Sequence, residues 1–180
     1  QRLQGRGAEA RASGDAAVSA FPAACLARYA VARQRHEAGD EAGAIRRYRQ
    51  AIALDPRHLP SYLNLAVATK RVAGPVAARP IVERAYRQRP DEPLVRYGRA
   101  LILLACGALD EGWDDYEWRW RAPGFPAVAR RAARPLWDGS ARSGTRLLIW
   151  PEQGVADQIT FASCVPDVVR TGQETILECD

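Results

Sequence analysis

The stretch WPEQGVAD, residues 150–157, contains the residues of this chain best suited to chemistry. A glycine such as Gly154 permits a tight turn, and the first amides of a following helix can receive an anion. Asp157 would repel an anion, so its carboxylate is better suited to accept a proton or a hydrogen bond from a hydroxyl group. The alternative is that Asp157 caps a helix, a common role for Asp at a helix start. The candidate ligand loop consists of Glu152, Gln153 and Gly154.

Other residue types that commonly do chemistry are few and scattered. The two histidines are His36 and His58, so a histidine metal site or a Ser-His-Asp triad would have to draw on these two alone. The four cysteines lie far apart without a C-x-x-C pair, which argues against a zinc site and against a dense disulfide framework. We therefore predict no metal, no cofactor and a reducing, cytoplasmic compartment.

The net charge of +5 comes almost wholly from arginine, since Lys70 is the one lysine. Arginines scattered through helices predict a solvated face, and no basic run is interleaved with aromatic residues, so we expect no nucleic-acid partner. The acids Asp114, Asp115 and Glu117 are expected near a helix start rather than in a paired-carboxylate site. Their expected ion-pair partners are Arg119 and Arg121.

The 180 residues can hold one ordinary domain and part of another, with 47% hydrophobic and 26% charged residues, as in a folded protein. No apolar run approaches the roughly 18 residues of a membrane span, and the N-terminus lacks the apolar core of a signal peptide. The chain begins with Gln and contains no Met, so it is expected to be a fragment.

Around the candidate loop the sequence predicts a β-α-β unit. TRLLIW at 145–150 and ETILEC at 174–179 are predicted strands, and QITFASCVPDVVRTG at 158–172 is a predicted helix. In a parallel β-α-β unit, ligands collect beyond the carboxyl end of the strand and at the helix N-terminus. The preceding residues 122–144 are rich in Pro and Gly, which predicts a linker packed on the neighbouring domain.

The N-terminal part of the chain repeats with a period of 34 residues, which is the length of a helix-pair repeat. The repeated columns are Pro22, Pro56 and Pro90; Ala10, Ala44 and Ala78; Ala17, Ala51 and Ala85; Ala32, Ala66 and Ala100; and Tyr48, Val82 and Tyr116. Each period predicts two helices, for example 61–73 and 77–89, with a proline after the second. The small alanines let neighbouring helices approach closely.

The stretch AGDEAGAIRRYRQAIALDP, residues 38–56, carries the Gly, Ala, Tyr, Ala and Pro of the tetratricopeptide repeat, which it resembles. The resemblance divides residues 1–121 into a partial repeat at 1–24 and three repeats at 25–58, 59–92 and 93–121. It implies a helix-pair solenoid, because a helix pair cannot bury its own apolar face and neighbours must stack.

Such a solenoid has a concave surface lined by the first helix of each repeat, and this surface is the default binding site. The period places on it Tyr29, Arg33, His36, Asn64, Lys70 and Tyr97, together with Val67 and Leu101. Arg33 and Lys70 favour an acidic protein or peptide partner. Asn64 occupies the position of the asparagine ladder in O-linked N-acetylglucosamine transferases, although Ala30 and Gly98 stand at the equivalent positions. Asn64 is equally consistent with a solvated helix residue.

The segments EGWDDYEWRW and 137–166 together resemble the junction in bacterial tetratricopeptide-repeat proteins fused to a two-lobed glycosyltransferase domain. The resemblance implies two Rossmann-like lobes, and a related acid proposed as the catalytic base carries over to Asp157. Ala156 departs from the family's glycine, and Ser163 and Cys164 replace its Arg and aromatic residue. Residues 145–180 would then be the truncated start of this domain. A nucleotide-sugar donor is therefore expected only in a longer parent protein.

The predicted fold class is mainly α: a tetratricopeptide solenoid followed by the first β-α-β unit of a Rossmann-like domain. The predicted function is a protein-binding or peptide-binding scaffold that forms the N-terminal part of a glycosyltransferase. This chain alone is expected to be inactive, because the nucleotide-sugar lobe is absent. The alternative is a stand-alone interaction protein without catalytic activity.

Overall fold

The structure is a computed structural model, and it describes residues 25–125, 135–140, 144–152 and 154–178. The chain divides between Pro123 and Gly124 into two compact units, which we call the helical array and the α/β unit. Several sequence predictions lie outside the described residues: the partial repeat 1–24, two stretches of the linker and Gln153.

The described part of the helical array consists of five α-helices and a 3-10 turn. They are α1 (Cys25–Glu37), α2 (Glu41–Leu54), α3 (Leu59–Gln88), α4 (Pro93–Ala105), α5 (Leu109–Tyr116) and the 3-10 turn Glu117–Arg121. Gly74 interrupts α3 with a φ of 83° and a ψ of 169°, so α3 is two helices that meet at a kink. Its two halves contain the two helices predicted for the middle repeat. No helix in the described ranges is long and apolar enough to span a membrane.

Local sequence signals set where these helices begin and turn. Asp40 caps α2, because its Oδ1 accepts a hydrogen bond of 2.8 Å from the backbone N–H of Gly43. Gly39, just before this cap, adopts a φ of 80°, a left-handed conformation that favours glycine. The chain therefore reverses within three residues, and α1 and α2 pack as an antiparallel pair.

The alanine columns of the 34-residue period form the close contacts between helices. The seven alanines of these columns that the structure describes are at most 1% exposed: Ala32, Ala66, Ala100, Ala44, Ala78, Ala51 and Ala85. One apolar cluster joins Tyr48 of α2 to Tyr62 of α3 and Val95 of α4, and a second joins Val82 of α3 to Ile102 of α4. Each cluster draws on neighbouring repeats, so the stacking of repeats buries the core, as predicted.

The end of the array is held by a buried arginine that sequence reasoning did not single out. The Arg99 guanidinium donates to Glu83 at 2.9 Å, to Asp115 at 2.6 Å and to Glu111 at 2.7 Å. The prediction that arginines occupy a solvated face is wrong for Arg99, which is 8% exposed. Asp115 also pairs with Arg99 instead of the expected Arg119 or Arg121.

The expected pairing of Glu117 with Arg119 is confirmed at 2.9 Å. Arg119 is nevertheless buried, with its guanidinium over the rings of Tyr116 and Trp120 at 4.5 Å from each centroid. The attraction between the positive guanidinium and the faces of the two rings compensates for the contacts with water that Arg119 loses on burial.

The α/β unit contains two short strands and two short helices in its described part. These are β1 (Arg146–Ile149), α6 (Val155–Ala162), α7 (Val165–Val169) and β2 (Glu174–Leu177). The strands pair in parallel with Arg146 opposite Glu174 and Ile149 opposite Leu177. The prediction of a single helix over 158–172 is wrong, because a turn at 163–164 separates α6 from α7. Two four-residue strands do not by themselves establish a Rossmann-like domain.

Candidate functional site

The candidate site is the exposed side of the three first helices, α1, residues 59–73 of α3, and α4, which we call the inner face. The hydrogen bond from Asn64 Nδ2 to the Tyr29 hydroxyl, at 3.0 Å, joins the first two of these helices side by side. The Tyr29 ring also contacts the His58 ring at 4.9 Å and the Tyr48 ring at 6.0 Å between centroids. Asn64 and Tyr29 therefore tie neighbouring repeats together at this face.

Gly98, at the position equivalent to Asn64 in the next repeat, makes a different contribution. A Cβ atom built there would lie 2.8 Å from Leu63 Cδ2, a distance that real Cβ atoms essentially never show. Glycine thus lets α4 lie close to α3, where an asparagine would not fit without displacing Leu63. The arrangement is therefore a single contact at Asn64 and not a ladder of amides.

The charged residues at the N-terminal end of the inner face are paired with one another. Arg33 Nη2 lies 2.9 Å from Glu37 Oε1, four residues later on α1. The hydrogen bond that Arg33 donates to Glu37 raises the pKa of Arg33 above its ordinary value, so this guanidinium stays charged. Because both side chains are more than half exposed, the pair balances charge on the surface rather than stabilising the fold strongly.

His36 lies beside a second ion pair, that of Glu41 with Arg71, at the turn between α1 and α2. Its Nδ1 lies 2.8 Å from Glu41 Oε2, and Arg71 of α3 lies 2.9 Å from the other carboxylate oxygen of Glu41. The His36 ring also packs edge-on against Tyr48, at 6.5 Å between centroids. The structure therefore places His36 mostly inside the array, with Glu41 as its polar neighbour.

One column of the inner face becomes apolar towards the C-terminal end of the array. Val67 is 36% exposed, Leu94 is 38% exposed and Leu101 is 39% exposed. Arg33, Val67 and Leu101 occupy the same position of successive repeats, so one column changes from charged to apolar. Leu94 was not among the predicted site residues. It lies seven residues, or two helical turns, before the predicted Leu101, and this spacing could have placed it on the same face.

Lys70 and Tyr97 lie beside this apolar strip. Lys70, three residues after Val67 on α3, is half-buried and makes no ion pair or hydrogen bond within the described ranges. The Tyr97 ring lies 5.7 Å from that of Tyr116 on α5, and the Trp113 ring is 5.4 Å from the same tyrosine. The predicted groove residues therefore divide into paired groups near α1 and a more apolar group on α3 and α4.

The candidate ligand loop follows β1 in the α/β unit. Gly154 is the N-cap of α6 with φ −64° and ψ 167°, an extended conformation open to any residue, so the backbone here does not require glycine. Asp157 lies in the first turn of α6 with its side chain exposed, and α6 has no side-chain cap. Glu152 is half-buried beside it in sequence. No group of three or more His, Cys, Asp or Glu within the described ranges could hold a metal ion.

The sequence matches no established family model. It is 35% identical over 136 residues to Protein FlbA of Caulobacter vibrioides. The match covers 73% of this chain and 23% of FlbA, so the chain spans less than a quarter of the length of this relative.

Solved structures similar to the chain are tetratricopeptide-repeat proteins. A repeat protein of Parabacteroides merdae superposes with a TM-score of 0.56 at 19% identity, over 66% of this chain and 46% of that protein. MamA superposes with a TM-score of 0.57 at 19% identity, over 67% of this chain and 70% of MamA. YrrB, a repeat protein with an unusual peptide-binding site, superposes with a TM-score of 0.53 at 18% identity, over 67% of this chain and 62% of YrrB. These likenesses show that the helical array has the tetratricopeptide-repeat fold.

Proposed function

We propose that the helical array is a protein-binding scaffold that holds a peptide segment against its inner face. The observation that carries this proposal is the row of apolar side chains Val67, Leu94 and Leu101, each more than a third exposed on helices whose other sides are buried. Repeat solenoids use such extended surfaces for binding. The peptide-binding site of YrrB, which shares the fold, supports the same use here.

The chemistry of the inner face supports binding rather than catalysis. The side chains of His36 and Glu41 are only 19% and 17% exposed, and the Arg33 charge is balanced by Glu37. What remains open to a ligand is apolar surface with one lysine beside it.

The test is a selection of twelve-residue peptides from a displayed random library on the full chain. Leu101→Glu places a carboxylate where apolar ligand side chains would lie. We expect this substitution to weaken binding of the selected peptides by roughly 10-fold or more. Ala53→Glu makes the same charge change at an exposed position of α2, a second helix, and should leave affinity unchanged. If Ala53→Glu abolishes binding and Leu101→Glu does not, the site lies on the outer helices.

We further propose that the α/β unit is the first part of a Rossmann-like lobe in a longer glycosyltransferase, with Asp157 as the base and a nucleotide sugar as the donor. The parallel register of β1 and β2 and the exposed position of Asp157, beyond the carboxyl end of β1, support this second function. The apolar side chains left exposed on α6, such as Ile159, are consistent with a larger domain.

The glycosyltransferase proposal is tested in the full-length natural protein. Asp157→Asn keeps the shape of the side chain but removes a base, so turnover should fall by roughly 100-fold with unchanged thermal melting. Asp167→Asn, an exposed acid on α7, is the matched control and should keep turnover. A parent protein without transfer activity would instead support the stand-alone interaction protein.

We also propose a reducing compartment such as the cytoplasm. Cys25, Cys106 and Cys164 are free thiols in the part of the chain that the structure describes, which supports this location. Unchanged thermal melting in the presence and absence of a reductant would agree with it.

A further inference from the structure

We propose that the ligand of the inner face is an apolar peptide segment with one carboxylate beside its large side chains, rather than an acidic peptide. This inference rests on the scaffold function proposed above. The apolar side chains would lie over Val67, Leu94 and Leu101, and the carboxylate would lie beside Lys70.

The first step is the balance of charge near α1. Arg33 is paired with Glu37, so an acidic ligand would have to displace or share the acid already there. Arg71 is paired with Glu41, which His36 also approaches. The N-terminal half of the inner face therefore offers paired charges, and it attracts an anionic ligand less than its arginines suggest.

The second step is the position of Lys70. It lies three residues after Val67 on α3, and residues at this spacing share one side of a helix. Lys70 is the cation of the predicted groove that makes no ion pair within the described ranges. A ligand carboxylate that reaches Lys70 would therefore gain a charge partner without breaking an existing pair.

The third step is the continuity of the apolar strip. Leu94 and Leu101 are seven residues apart on α4, which is two helical turns, so they lie on one side of it. Gly98 lies between them and faces Leu63, which a larger side chain would displace. Because α4 lies close to α3 at this point, the strip can extend from Leu101 to Val67.

Burial of apolar ligand surface supplies the affinity in this arrangement, and the single ion pair supplies orientation. An exposed ion pair contributes little free energy, whereas removal of large apolar side chains from water is the main favourable contribution to association. The expected ligand therefore tolerates loss of its acid far better than loss of its apolar side chains.

The experiment uses the peptides selected from the twelve-residue library, synthesised with a fluorophore and titrated with the full chain by fluorescence anisotropy. We expect large apolar residues and one Asp or Glu to be enriched. Replacing the apolar residues by Ser should weaken binding by roughly 10-fold or more. Replacing the acid by its amide should weaken binding by about 2- to 5-fold.

Pairing of the acid with Lys70 is tested by a double-mutant cycle. Lys70→Gln should weaken the acidic peptide by the same 2- to 5-fold and leave its amide form unaffected, while circular dichroism shows unchanged melting. Arg87→Gln, an exposed arginine of α3 outside the inner face, is the matched control. Equal effects of Lys70→Gln on both peptides would overturn the assignment of the carboxylate to Lys70.

The outcomes separate this inference from the scaffold function. If Leu101→Glu abolishes binding of the selected peptides, but these peptides are acidic throughout or basic, the scaffold function is retained and the inference of an apolar ligand is wrong. If no peptide depends on Leu101, both are wrong. Concentration-dependent dimerisation in sedimentation, abolished by Leu101→Glu without any peptide binding, would assign the strip to a second copy and overturn the inference.

Discussion

The two units of this chain differ in what covers their apolar side chains. In the helical array, Tyr48, Leu103 and Val95 are at most 1% exposed. In the α/β unit, Ile159 and Val155 are 71% and 67% exposed, and none of the residues of α6 or α7 is buried. Both units contain helices with spaced apolar residues. The difference shows that an apolar pattern in the sequence identifies side chains that favour burial, whereas the neighbouring elements determine whether those side chains are buried.

The physical reason is the number of neighbours available to each element. A repeat in the middle of the array has a helix pair on either side, so its alanines and tyrosines contact both. A two-stranded sheet is marginal in water unless further strands or helices pack on it. We therefore expect most of the unfolding free energy of the described structure to come from the array.

The largest expected effect comes from breaking the buried ion cluster of the array. Burial disfavours the charged Arg99 guanidinium, but the hydrogen bonds that it donates to Asp115 and Glu83 outweigh this and raise the pKa of Arg99 above its ordinary value. Arg99→Met leaves the carboxylate of Asp115 buried, with Arg96 at 3.4 Å as its remaining ion-pair partner among the described residues. The variant should lose about 3 kcal/mol in urea unfolding followed by circular dichroism.

The matched control for Arg99 lies in the α/β unit. Arg170 pairs with Asp167, but both side chains are 74% exposed, so Arg170→Met should change stability by less than about 0.5 kcal/mol. Equal losses for the two variants would show that burial does not distinguish the two units.

The next largest effect comes from overfilling the contacts between helices. Ala66 packs against Ala78, Val82 and Ile102, and Ala66→Leu should cost about 2 kcal/mol because the neighbouring repeat cannot move aside. Ala85→Leu, in the other cluster, should behave in the same way. Both are measured by thermal melting.

Exposed positions serve as controls for these alanines. Arg57→Ala in the array and Ala162→Leu on α6 should each leave melting nearly unchanged. Unchanged melting in Ala66→Leu and Ala85→Leu as well would mean that these alanine columns are not the close contacts.

The cap of α2 gives a smaller effect that depends on pH. The hydrogen bonds from Arg35 and from the Gly43 backbone hold the pKa of Asp40 below its ordinary value of 3.8. A carboxylate with a lowered pKa stabilises the fold above 3.8, and this contribution is lost as the pH falls through the value in the folded protein. Asp40→Ala should therefore cost about 1 kcal/mol at pH 7 and less below pH 3.8.

Urea unfolding at pH 7 and at pH 3 measures this difference. The corresponding helix of the α/β unit, α6, has no side-chain cap, so no residue of its first turn should give a similar effect. A loss for Asp40→Ala that is equal at both pH values would contradict the ionised cap.

The smallest effect comes from a matched pair of isoleucines, one in each unit. Ile102 is 2% exposed in the array, and Ile102→Val should cost about 1 kcal/mol. Ile159 is 71% exposed on α6, and Ile159→Val should be neutral within about 0.5 kcal/mol. A cost above 1 kcal/mol for Ile159→Val would show that its surface is covered in solution, and the contrast between the units would be lost.

Much of the array could be predicted from the sequence because its signal repeats. The period of 34 places Ala44, Ala51 and Ala66 in contact positions, and each is at most 1% exposed. The strands of the α/β unit were predicted within two residues of their ends, because runs such as RLLI and ETIL are apolar or β-branched between turn residues. The division of its helix at Ser163–Cys164 could have been predicted from Pro166, because a proline favours the first turn of a new helix and not a helix interior.

The candidate site was predicted only in part. The period places Tyr29, Asn64 and Lys70 on first helices without showing which of them are engaged. Tyr29 and Asn64 bind each other, whereas Lys70 is unpaired within the described ranges. The pairing of Arg33 with Glu37 follows a spacing of four residues and could have been predicted.

By itself, the sequence determined the helix-pair repeat, the alanine contacts and the position of the parallel strands, because these depend on spacing along the chain. Only the tertiary structure decided that Arg99 is buried among Glu83, Glu111 and Asp115, since these acids come from α3 and α5, up to 16 residues away. It also decided that Tyr29 and Asn64 bind each other across neighbouring repeats, while Lys70 is left without an ion pair in the described part of the chain. The reason is that burial and charge balance depend on which helices meet, and a one-dimensional period does not contain that information.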